Sequence, residues 1–106
     1  MREVLQLILE RMGNEVTAAA SVEEAVVVAS GRTFDLVISD LGLPGESGLA
    51  LLGRLQLAAG TPAIAMSGYG SDEDREETKR AGFIEHLVKP VAPAQLREAV
   101  TRLLAR

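Results

Sequence analysis

The sequence predicts an α/β protein with a parallel sheet wound by helices on both faces. Three observations carry that prediction. Segments with a helical repeat of apolar residues alternate with short apolar runs along all 106 residues. Leu36, Val37 and Ile38, and again Ala63 to Met66, are apolar without polar alternation, as strands covered on both faces are. The junctions carry Gly, Pro or Ser, the residues that stop helices or turn the chain. Each parallel pair needs a right-handed crossover, and the intervening helices supply it.

Taken in order, Leu5, Ile8, Leu9 and Met12 recur at helical spacing, and Gly13-Asn14 punctuates the end of that helix. The stretch EVTAAA, residues 15–20, reads as a short strand. Ser21 and Glu24 form the S-x-x-E pattern of a capping box, and Val22, Ala25, Val26 and Ala29 make the buried stripe of a second helix ending near Gly31. Valines at 26, 27 and 28 oppose it, because β-branched side chains lose rotamer freedom in a helix.

FDLVISD then gives a strand ending at Asp40, and GLALLGRLQLAAG gives a third helix closed by Gly60. TPAIAMSG is the next strand. SDEDREETKRAG is a largely solvated helix with acidic residues in its first turn and Lys79 and Arg80 in its last, matching the helix dipole. FIEHLVKP is the last strand, stopped by Pro90, and Leu96, Val100, Leu103 and Leu104 mark the core face of a helix entered through Pro93.

Composition bounds the function. A chain of 106 residues with 47% apolar content is expected to form one domain, residues 1–106, around a real core. A net charge of -4 and a pI near 5.0 argue against direct nucleic-acid binding. Cysteine is absent and His86 is the single histidine, so disulfides and thiolate or histidine-rich metal sites are not expected. The N-terminal MREVLQLILERMG carries Arg2, Glu3, Glu10 and Arg11, unlike a signal peptide or a membrane span, and a cytoplasmic location is expected.

Ligands of open parallel sheets gather at the C-terminal ends of the strands. Asp40, Ser67 and Lys89 each sit at such an end. Taken singly, each has a commoner reading, as a turn or capping Asp, a turn Ser and a solvated Lys. Together they suit phosphoryl transfer onto a carboxylate. Asp40 is the nucleophile, and the acyl phosphate, with a charge of about -1.5 to -2, needs the Lys89 cation and the Ser67 hydroxyl as donors.

LVISDLGLPGESGLALL, AIAMSGYG and AGFIEHLVKPV resemble, in order and spacing, the hallmark segments of response-regulator receiver domains of bacterial two-component signalling. The resemblance covers nearly the whole chain. It implies a flavodoxin-like, three-layer doubly wound fold, with Asp40 as phosphoacceptor, Ser67 as switch hydroxyl and Lys89 as phosphate-binding lysine. It also implies a cis Lys89-Pro90 bond, which costs little only before proline. His86 stands where the family's regulatory aromatic lies, so a packing or switch role is expected for it rather than that of a phosphodonor. Gly42 and Tyr69 match the variable positions that tune dephosphorylation in the family, and the alternative reading of Tyr69 is a surface aromatic. The implied partner is a histidine kinase or phosphotransfer protein, and the implied cofactor is Mg²⁺, held by Asp40 and the Gly42 carbonyl.

The sequence departs from the family at its start, where a first strand ending in two Mg²⁺-binding acidic residues is expected and not found. An N-terminally truncated receiver is the resulting expectation. Glu3 and Glu10 do not replace the pair by position, and Glu46 has no family precedent as a ligand. Mg²⁺ binding is therefore expected to be weak or absent, and phosphorylation to be impaired with it. With family strand order 2-1-3-4-5 the absent strand is interior. Four strands and five helices are expected, with a homodimer or strand exchange to satisfy the open seam.

Two further function classes accompany the phosphoacceptor: a phosphorylation-independent pseudo-receiver, and a small phosphatase-like hydrolase, which lacks a second carboxylate as general acid. An enzyme is not expected beyond self-phosphotransfer and autodephosphorylation. No effector segment follows Arg106, so output is expected through contacts, or the chain is one domain of a longer regulator or hybrid kinase.

Overall fold

A computed structural model describes residues 2–41, 51–55, 60–68 and 72–105. Its first helix, α1 (Arg2–Arg11), places Leu5, Ile8 and Leu9 against the core, with Met12 just beyond it. The helix ends in a Schellman turn, in which Asn14 N–H donates to the Leu9 carbonyl and Gly13 N–H to that of Glu10. Gly13 has φ 92°, a conformation that a side chain would strain.

The second helix, α2 (Val22–Ala29), forms despite its valines. Ser21 Oγ accepts the Glu24 N–H at 3.1 Å, and the Glu24 carboxylate accepts the Ala20 N–H at 3.2 Å, so the cap satisfies donors in both directions. Val22 is fully buried and Val26 packs beside it, whereas Val27 is 74% exposed. Burial of one face thus outweighs the modest propensity cost.

Three parallel strands, β1 (Val37–Asp40), β2 (Ala63–Ser67) and β3 (Glu85–Val88), lie in the order β1-β2-β3. The central strand β2 is buried at every position, which explains its uninterrupted apolar sequence. Its side chains alternate between layers, with Ile64 and Met66 in the cluster that includes α1 and α5 (Pro93–Leu104), and Ala63 and Ala65 facing Phe83. Helices α3 (Leu51–Arg54) and α2 contribute Leu51 and Val22 to a cluster with Val37, so helices cover both faces. Helix α4 (Asp72–Arg80) packs along β3 and ends in a second Schellman turn, with Phe83 N–H on the Thr78 carbonyl and Gly82 N–H on that of Lys79. The doubly wound architecture and the five helices among the described residues agree with expectation.

Two expectations are corrected. On α5 the buried stripe is Leu96, Ala99, Val100 and Leu103, whereas Leu104 is exposed. The stripe follows i, i+3, i+4, i+7, and Leu104 lies past its edge. Residues 15–20, expected as a fourth strand, form no ladder, and the sheet has three strands among the described residues. A strand exists only beside a neighbour at about 4.8 Å. Here a cavity of about 1190 Å³ is lined by residues 16–19 together with Leu36 and Ile38.

Candidate functional site

The C-terminal ends of the three strands form one mouth. Register pairs Ser67 with Val88, so β2 and β3 finish level, and Asp40 with Met66, so β1 finishes one residue short of β2. Two bonds continue the ladder past the strand ends: Leu41 N–H donates to the Met66 carbonyl at 2.9 Å, and Lys89 N–H to the Ser67 carbonyl at 2.7 Å. These bonds hold the segments carrying Asp40, Ser67 and Lys89 side by side. The Lys89-Pro90 peptide is cis.

Lys89 Nζ donates to Asp40 Oδ2 at 2.5 Å, and the two side chains are 32% and 33% exposed. The pair is a charge-assisted bond at an opening to solvent, where a bound group can reach both partners. Behind it, Ser67 is buried, and its Oγ lies 2.7 Å from His86 Nε2. The other ring nitrogen, Nδ1, lies 3.1 Å from Thr78 Oγ1, and Thr78 Oγ1 donates to the Arg75 carbonyl at 2.9 Å. His86 therefore joins the end of β2 to α4. Its position on β3 places it on the face opposite Leu87, which packs with α5.

Asp40 and Lys89 are in direct contact, and Ser67 and His86 are in direct contact. Gly42, Glu46 and Tyr69 lie outside the described residues. Glu10 is on the exposed side of α1, where its carboxylate accepts from Gln6 Nε2 at 3.4 Å. Thr78 was not anticipated as part of the site. It is the one uncharged residue of DEDREETKR and is only 3% exposed, so its neutrality in a charged helix was the available signal. Ser39, beside Asp40, is 2% exposed with its hydroxyl unpartnered among the described residues.

Mg²⁺ takes near-octahedral oxygen ligands, with one or two carboxylates among them. The described residues contain no cluster of three Asp, Glu or His groups able to hold a metal, and the Asp40 carboxylate already carries an ammonium group. These residues do not fit the ion. What they present is a carboxylate with a cation on one oxygen, and a hydroxyl at the end of the adjoining strand. Away from the mouth, Arg102 of α5 bonds Glu98 at 3.0 Å and Glu85 of β3 at 3.1 Å, and these hydrogen bonds, that to Glu98 first, raise its guanidinium above the ordinary arginine range.

Comparison with known proteins adds an independent line. The family model of the response regulator receiver domain matches residues 1–101. An uncharacterized 14.6 kDa protein in the sodA1 3′ region of Leptolyngbya boryana is 38% identical over 98 residues, covering 90% of this chain and 75% of that protein. The transcriptional activator protein PfeR of Pseudomonas aeruginosa is 36% identical over 106 residues, and the chain spans 35% of its length while being covered over 100% of its own. Among solved structures, a CheY-like response regulator receiver domain protein from Methanospirillum hungatei superposes with a TM-score of 0.87 at 32% identity, covering 97% of this chain and 83% of that one.

Proposed function

The chain belongs to the response regulator receiver domain family of two-component systems, and on that premise we propose that Asp40 accepts a phosphoryl group from a phosphorylated histidine of a kinase or phosphotransfer protein. One observation supports this reading above the others: Lys89 Nζ is bonded to Asp40 Oδ2 at the C-terminal mouth of three parallel strands, with Ser67 at the end of the central one. An Asp40 oxygen attacks phosphorus in line. The new P–O bond forms as the P–N bond to the donor histidine breaks, and the electron pair returns to that imidazole nitrogen. Lys89 offsets charge on the transferred oxygens, since such catalysis is mainly positioning and electrostatics.

Output then passes through the surface made by α4, β3 and α5, in the cytoplasm, with no turnover of free substrates. Asp40 serves as acceptor and the chain as signalling module. Among the described residues no helix is long and apolar enough to cross a membrane. A second copy of the chain is the proposed further partner, because β1 pairs on one side only among the described residues and borders the large cavity.

A second reading, a pseudo-receiver that works through contacts without phosphorylation, is favoured by a specific observation. The described residues contain no cluster of three carboxylate or histidine groups able to hold Mg²⁺. One experiment separates the two. The chain and its Asp40→Asn variant are treated with acetyl phosphate in magnesium buffer and weighed intact. An adduct on the former alone is expected; an adduct on neither would overturn the acceptor role and leave the contact module.

A further inference from the structure

The hydrogen bonds behind Ser67 have a fixed direction. A threonine hydroxyl carries a single proton. Thr78 donates it to the Arg75 carbonyl, so at His86 Nδ1 the Thr78 oxygen acts as acceptor. Nδ1 therefore holds a hydrogen. In a neutral imidazole that leaves Nε2 as the acceptor. Ser67 Oγ, 2.7 Å from Nε2, then points its own proton at the ring.

We infer that Thr78 is a positioning residue which, by fixing the His86 tautomer, keeps the Ser67 proton turned toward the ring, so that the resting site is biased against a phosphoryl group. The inference rests on the proposed acceptor role of Asp40. A phosphoryl oxygen on Asp40 needs donors, and Ser67 can offer its proton only by giving up Nε2. Once it does, Nε2 loses its donor, and the change reaches Thr78 through one imidazole. Thr78 is well placed to pass it on. It is buried on α4, and its carbonyl accepts Phe83 N–H where α4 turns toward β3.

Valine at position 78 keeps the shape and removes the acceptor. The Nδ1–H then sits in a part-buried site without that partner, which favours the tautomer with hydrogen on Nε2. In that tautomer the ring donates to Ser67 Oγ, and the serine proton turns toward the mouth. The loss of one hydroxyl on a neighbouring helix therefore strengthens phosphoryl binding, opposite to the effect of a general structural lesion.

The whole chain is used for the test. Long-range proton–nitrogen correlation spectra of the imidazole, with no phosphoryl compound present, are expected to show hydrogen on Nδ1 in the native chain and in Thr78→Ser. In Thr78→Val, or in Thr78→Ala if valine unfolds the chain, hydrogen moves to Nε2 in part or in full. A native ring with hydrogen on Nε2 or on both nitrogens, or an unchanged tautomer in the folded variant, overturns the inference. Beryllofluoride, a phosphoryl mimic, is expected to bind the variant about three- to tenfold more tightly, the factor set by one neutral hydrogen bond. Equal or weaker binding by the folded variant also overturns it. If the native chain gives neither beryllofluoride binding nor an acetyl-phosphate adduct, the acceptor role of Asp40 falls, and the tautomer spectra still decide the role of Thr78.

Discussion

Asp40, Lys89, Ser67 and Ser39 show how differently polar groups at one strand mouth are supported. The Asp40 and Lys89 side chains are each about a third exposed, so their bond is worth little to folding and is available to a ligand. Ser67 is buried and bonded to His86, which constrains its hydroxyl. Ser39 is buried with its hydroxyl unpartnered among the described residues, a state that costs about 1–3 kcal/mol. Ser39→Ala removes that group with little change of volume. We expect it to raise stability by about 1 kcal/mol in urea denaturation. A loss of stability would mean that the hydroxyl is bonded in solution. Asp40, Ser67 and Lys89 were legible in the sequence because each follows an apolar run. Thr78 was not, because its role depends on a histidine eight residues away on another element.

At the scale of elements, helix ends control what the strands present. Helix α4 is almost wholly charged, yet it is fastened at Thr78 through its side chain and at its C-terminus through a Schellman turn. That turn needs Gly82, whose φ is 106°. A Cβ there meets Leu52 Cδ1 at 3.1 Å, a contact with the end of a side chain that can shift, so the backbone is the larger cost. Gly82→Ala is expected to destabilise the chain by about 1–2 kcal/mol, read from the urea midpoint. Unchanged stability would show that the turn can be rebuilt without glycine. Capping and periodicity made most helices legible. The propensity of Val26 to Val28 misled locally because tertiary burial of Val22 and Val26 overrides it.

At the scale of the whole molecule, the layers follow from alternation along β2, with Ile64 and Met66 toward α1 and α5 and the small Ala63 and Ala65 toward Phe83. The sheet edge is the unsettled part of the surface. A cavity of about 1190 Å³ is lined by Ile38 of β1 and by residues 16–19, and an open edge of this kind invites another chain. Dimers or larger species are expected by size-exclusion chromatography with light scattering as concentration rises. Monomer at every concentration would remove strand exchange from consideration. By itself the sequence determined the winding of helices about a parallel sheet and the three strand-end residues, because both are written in local periodicity. Only the tertiary structure decided that residues 15–20 form no strand, that Lys89 bonds Asp40, and that Thr78, His86 and Ser67 share one set of hydrogen bonds. A ladder, an ion pair and a side-chain hydrogen bond each depend on a partner distant in sequence, and neither composition nor spacing records where that partner lies.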